Sequence, residues 1–580
     1  MATLALSAAG AAIGGAVLPN IGALGATITG AAIGRAAGAL AGRYIDQALF
    51  APSGQERVVE GPRLDDLHLL SSGEGAPIPR LWGRARLGGQ VIWGPPFEEQ
   101  VVTSSAGGSG GGKATQSSSG GGTRRDYRYF SSFAVGLCEG PIARIGRVWA
   151  DGKELDLSTL TYRVHPGVQD QSADPLIVAH EGAENAPAYR GLAYIVFERV
   201  ALARFGNRLP QLSFEVFRPL DDFEQRIKAV TVIPAAGEFA YDTAEIIRTA
   251  GASERFTENA HTQQGGSDWS VSMDALQASA PALEHASLIV SWFGTDLRAD
   301  RCEVRPGVER EDKETLPHGW SVQGLSRTAA HVVSQVDGRP AFGGTPADRS
   351  VVAALRDLSA RGLKATFYPF LMMDVPEGNG LDDPYGSGVQ PAYPWRGRIT
   401  VAPAPGLQGS PDQSAQAAAA VSSFVGTAAV TDFSISGDAV TYSGPAEWSW
   451  RRMILHYAHL CKAAGGVDAF LIGSELRGLT WLRDAAGGYP FVDALVALAS
   501  DVRAVLGPET KITYAADWSE YFGHQPSDGS GDVAFHLDPL WSSPDIDAVG
   551  IDCYWPLADW RDGEGHADRL AGYISTYDLG

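Results

Sequence analysis

A set of carboxylates stands where an alternating strand-and-helix chain would do chemistry. Asp296, Asp374, Glu475, Asp517 and Asp552 each close an apolar run of strand length, and Trp292, Trp518, Tyr554 and Trp555 lie beside them in the sequence. Parallel α/β folds carry their reacting groups at the C-terminal ends of the strands. Carboxylates next to aromatic rings suit a saccharide. One acid protonates the glycosidic oxygen, a second carboxylate attacks the sugar or activates water, and the rings stack on the pyranose face. Glu475 is the most sharply placed: it follows the buried-strand pattern Ala469-Phe470-Leu471-Ile472, and Gly473 and Ser474 leave room beside it. Asp517, Asp552, Trp292, Trp518, Tyr554 and Trp555 are the glycan-binding candidates. For Asp296 and Asp374 the competing reading is a helix cap or an ion pair with a nearby arginine such as Arg298 or Arg477.

The elements that position Glu475 are legible on both sides. Upstream, Met453, Ile454, Tyr457, Leu460 and Cys461 fall at helical spacing and Gly465-Gly466 stops the helix. Downstream, Val492, Leu495, Ala499, Val502 and Leu506 share one helix face and Gly507-Pro508 ends it. The same alternation predicts strands at 286–294, 331–338, 363–374, 467–476, 511–518 and 546–555, with Asp348 in a capping-box position for the helix after the second. Residues 375–444 are too long for an ordinary connection and read as an insertion over the mouth, carrying Trp395. The pattern is that of a TIM barrel, which needs eight strands; with six of the eight in residues 286–580, the expectation is a portion of a longer protein.

The rest of the chain differs in kind. Residues 1–34 carry no charge, and Gly22, Ala26, Gly30, Gly34, Gly38 and Gly42 recur every four residues, predicting an apolar glycine-zipper helical segment over 1–50. Its length suffices to span a bilayer; a helical hairpin, or a bundle in an oligomer axis, is the alternative. Residues 51–240 read as a mostly-β domain with a Ser/Gly-rich loop at 103–123, and 241–285 as a connector.

Ordered wording in the β-rich part, IPRLWGR (78–84), GGQVIW (88–93), LCEGPI (137–142), VWADGK (148–153), YRGLAY (189–194) and FGNRLPQ (205–211), resembles the tail-tip attachment, or host-specificity, proteins of long-tailed bacteriophages. In the second half, SWFGTDLR (291–298), IGSELRGL (472–479), FHLDPLW (535–541) and IDAVGIDCY (546–554) are similar to the glycoside-hydrolase TIM-barrel-like domain of gene transfer agent tail proteins. The resemblance implies a large, homotrimeric tail-tip or baseplate component that aids envelope penetration and DNA delivery. Its implied partners are other tail proteins and a host envelope glycan or receptor. Residues 1–50 would meet the host inner membrane, and DNA would pass through the assembly without sequence-specific binding. It also implies a general acid/base role for Glu475, with the nucleophile on a seventh strand that the chain does not contain.

Composition narrows the field. A net charge of -21 argues against general nucleic-acid affinity. Cys138, Cys302, Cys461 and Cys553 are scattered without a CxxC pair, and the histidines lack metal spacing, so no metal and no cofactor is expected. Asp528 to Asp532 lacks most of a calcium loop and reads as a solvated turn. Two alternatives to a scaffold stay open: a particle-borne glycoside hydrolase and a non-catalytic glycan-binding barrel.

Overall fold

The computed structural model describes residues 21–23, 26–28, 75, 77–105, 123–219, 223–250, 254–554, 560–576 and 578. The chain divides into two units, Met1–Asp66 and Leu67–Gly580. In the first, Ile21–Ala23 and Ala26–Ile28 pair as antiparallel strands. The glycine-zipper helix expected there is therefore corrected over these six residues. β-branched Ile21, Thr27 and Ile28 favour the extended chain, and glycine is a poor helix former. The remainder of 1–50 lies outside the described residues. Among the described residues no helix is long and apolar enough to cross a membrane.

The second unit begins with two antiparallel sheets. One orders Gln90–Trp93, Thr123–Glu139, Leu192–Ala201 and Thr161–His165, and the other orders Gly83–Gly88, Leu212–Arg218, Arg144–Ala150 and Lys153–Glu154. Period-2 alternation sends Phe133, Val135, Ile195, Phe197, Phe214 and Val216 into one shared core. The Asp151-Gly152 turn, with φ of 50° and 79°, joins the last two strands of the second sheet.

The parallel sheet that follows is labelled here by its own strands. These are β1 Ala229–Val232, β2 His285–Gly294, β3 Lys364–Met373, β4 Ala469–Ser474, β5 Lys511–Asp517 and β6 Gly550–Asp552, neighbours in sequence order. Every pairing along this path is parallel. Helices α1 Asp268–Ser279, α2 Asp348–Ala360, α3 Trp450–Ala464, α4 Arg477–Thr480 and α5 Pro490–Leu506 alternate with them. One face of the strands, including Val290, Trp292, Phe367, Phe470, Ile512 and Tyr514, packs under the helices. The other carries a smaller layer of Ile289, Tyr368, Leu471 and Ala515. The architecture is a sector of a parallel barrel.

Several sequence expectations change here. Residues 331–338 are not a barrel strand: they hold two-residue ladders, and Asp337-Gly338, both at positive φ, closes a small hairpin. The strand overlooked is β1, whose AVTV is too short to show a period. The 375–444 insertion divides its work. Its turn Arg396–Arg398 reaches the mouth, whereas its helix Ala415–Val425 and hairpin Phe433–Ser436/Ala439–Tyr442 pack outside, Phe424 on Trp450 and Phe433 on His459. Asp348 caps nothing through its side chain. It is buried, accepting from Gln323 N at 2.8 Å and facing His456 Nε2 at 2.8 Å.

Candidate active site at the sheet's C-terminal edge

Glu475 follows β4 directly. Its φ of 50° is unusual for a residue with a Cβ, and its amide donates to Ala515 O on β5 at 2.9 Å. That backbone turns the side chain into the mouth, where it is 5% exposed. Its Oε2 accepts from Trp395 Nε1 at 2.7 Å and pairs with Arg396 Nη2 at 3.0 Å. Arg396 is held in turn by Ser474 O and Ser474 Oγ, each at 3.0 Å, and its guanidinium lies 3.9 Å from the Phe370 ring centre. The turn that delivers both residues sits against α4. A Cβ on Gly478 would stand 2.4 Å from Ile399 O, so only glycine permits this approach.

Asp552 closes β6 and meets Glu475. Burial pushes its carboxyl up to about 6, opposed by the hydrogen bond from Tyr368 and reinforced by the charge of Glu475. Tyr368 Oη donates to Asp552 Oδ2 at 2.7 Å. Tyr554 is 71% exposed, and its hydroxyl is raised first by the charge of Glu475 nearby.

Asp517 lies nearby, but its carboxylate is committed to a helix cap. It accepts from Ser519 N at 3.0 Å at the start of α6 Trp518–Tyr521, and Glu520 Oε2 accepts from the Asp517 amide at 2.7 Å. Glu520 itself, fully buried, is pushed up to about 7 by burial while accepting from Thr480 Oγ1 at 2.7 Å. Trp518 is 38% exposed and sits edge-on to Phe522.

Trp292 is not part of the site. It alternates to the helix side of β2, fully buried, donating to Tyr457 Oη at 2.8 Å. Its place in the strand decides this: neighbours Val290 and Leu288 share the same face. Trp555 lies outside the described residues. Asp296 is spent on Arg298 at 2.7 Å and on Gln390, and Asp374 on His331 at 2.6 Å and on Ser334. The structure thus brings Glu475, Asp552 and Tyr554 together, with Asp517 and Trp518 on the rim. It adds Tyr368, Trp395, Arg396 and Phe370. Tyr368 and Phe370 were within reach of the alternation along β3, whereas nothing periodic marks Arg396.

Chemically, the group is an array of hydrogen-bond acceptors and donors. A retaining glycosidase separates its carboxyls by about 5–5.5 Å and an inverting one by about 6.5–9.5 Å, to admit the reacting atoms. Glu475 lies near enough for its charge to raise the Asp552 carboxyl, and is itself tied to an arginine. Elsewhere, Glu238, Glu258 and Glu309 are close enough to hold a metal ion, but Lys313 Nζ lies among them at 3.1, 2.7 and 2.6 Å. That acidic cage already contains its cation.

Residues 448–580 match the family model of the GTA TIM-barrel-like domain, GTA standing for gene transfer agent. A chain in the virion of a native gene transfer agent particle is 40% identical over 37% of this chain and 45% of that one, with a TM-score of 0.23. The present chain thus spans under half the length of that relative. A GH113 β-1,4-mannanase is 14% identical over 48% of this chain and 54% of its own, TM-score 0.24, and so is the GH113 β-mannanase of Alicyclobacillus acidocaldarius in complex with ManMIm. No curated protein matches.

Proposed function

We propose that this chain is a structural component of a gene-transfer-agent or phage-like tail, acting at the tip. In this reading the β-rich part serves the hub and the barrel mouth holds a host envelope glycan without turning it over. The match of residues 448–580 to a gene transfer agent domain carries the particle assignment. Support for binding rather than turnover comes from Glu475, whose carboxylate is occupied by Trp395 and Arg396. Exposed Tyr554 then supplies the stacking face and the carboxyl pair the hydroxyl contacts. Homotrimeric assembly and contact with the inner membrane through residues 1–50 belong to the same proposal.

A second reading has one observation in its favour. Asp552, pushed up to about 6, holds a proton at mildly acidic pH and would suit a general acid in a particle-borne glycoside hydrolase. Labelling of purified particles with antibody against residues 83–218 tests the assignment. Label at one tail end supports it, and particles that lack the chain by mass spectrometry rule it out.

A further inference from the structure

Beside the mouth lies a second cleft, of about 300 Å³, walled by the insertion, by α4 and by the loop after α6. It adjoins the mouth through Trp395, whose indole N–H serves Glu475 while its ring lies 5.1 Å from the Arg477 guanidinium. Arg477 lines the cleft, also 4.9 Å from the Trp481 ring, with Nη1 donating to Ser519 Oγ at 2.9 Å. Among the described residues it has no carboxylate partner.

The other charges in the cleft are matched. Arg483 pairs with Asp412 at 2.7 Å and Asp528 at 2.9 Å, and His524 is held neutral, pushed down to about 4 by burial first and by Arg483 next. Thr400, fully buried, and Trp481 also line the cleft, and Thr400 Oγ1 and Trp481 Nε1 have no hydrogen-bond partner. A guanidinium close to two indole rings and bonded to Ser519 keeps its fork oriented, which favours a planar carboxylate over a neutral hydroxyl. The volume suits one or two sugar rings.

We propose that this cleft binds the carboxylate of an acidic sugar residue in the glycan, with Arg477 as the recognising cation. The inference rests on the glycan reading of the mouth and adds the substrate class. The test is titration calorimetry of the full chain with a panel of uronate-containing oligosaccharides, including oligogalacturonate and hyaluronan hexasaccharide, each beside its carboxyl-reduced neutral counterpart. Wild-type protein should bind an acidic member at least tenfold more tightly than its reduced form, and Arg477→Gln should abolish the difference. Equal affinity of wild type for both forms overturns the acidic-sugar inference and leaves the glycan reading standing. Failure of every member to bind overturns both. The wild-type comparison decides the matter even where Arg477→Gln does not fold.

Discussion

The hydroxyl of Tyr368 on β3 reaches across the concave face of the sheet to Asp552 on β6, at 2.7 Å. This bond crosses β4, which Glu475 directly follows, and β5, and it lowers a carboxyl that burial raises. Asp552 has a folded value near 6, above the ordinary aspartate range near 3.9. The folded state therefore binds the extra proton, and stability falls as pH rises from about 4 to about 6, with no further loss above. Asp552→Asn should remove that slope. Tyr368→Phe deletes a donor to the charged form and should extend the slope above pH 6. Urea denaturation of the three proteins from pH 4 to 8 checks both.

Glu520 gives a second slope of the same sign. Its folded value of about 7 exceeds the usual one, so its ionisation costs stability between about pH 4.5 and 7. Glu520→Gln should gain about 1–3 kcal/mol over wild type at pH 8 and change little at pH 5. Thermal melts at the two pH values suffice.

Arg396 and Glu475 form a buried pair, 6% and 5% exposed. Arg396→Met leaves Glu475 charged and unpaired, a change expected to cost about 3–5 kcal/mol. Adding Glu475→Gln should recover part of it, and the double-mutant cycle should give a coupling above about 1 kcal/mol.

Lys313 supplies a cation common to Glu238, Glu258 and Glu309. Lys313→Met should destabilise by about 3–5 kcal/mol. Millimolar calcium should restore part of the loss in the variant and leave wild type unchanged, as read by melting temperature.

What the sequence revealed follows from where physical signals are local. β4 and its flanking helices α3 and α5 stood out because buried apolar runs and helical faces ended at glycines. β1 was missed because four residues carry no period, and 331–338 was misread because two-residue ladders look extended. Within the site, Glu475 and Asp552 were found from strand ends, while Trp292 was misplaced because its neighbourhood in sequence is not its face on the strand. Arg396 comes from a loop some 80 residues before Glu475, and only tertiary packing brings it there.

The central claim is that the mouth binds a glycan and does not cleave it. The most direct measurement incubates the purified chain with host envelope polysaccharide and records, in one experiment, bound saccharide and newly formed reducing ends. The account predicts retention that is lost in Tyr554→Ala, with no reducing ends above background. Reducing ends formed by wild type and abolished in Asp552→Asn would contradict it and establish a hydrolase in its place.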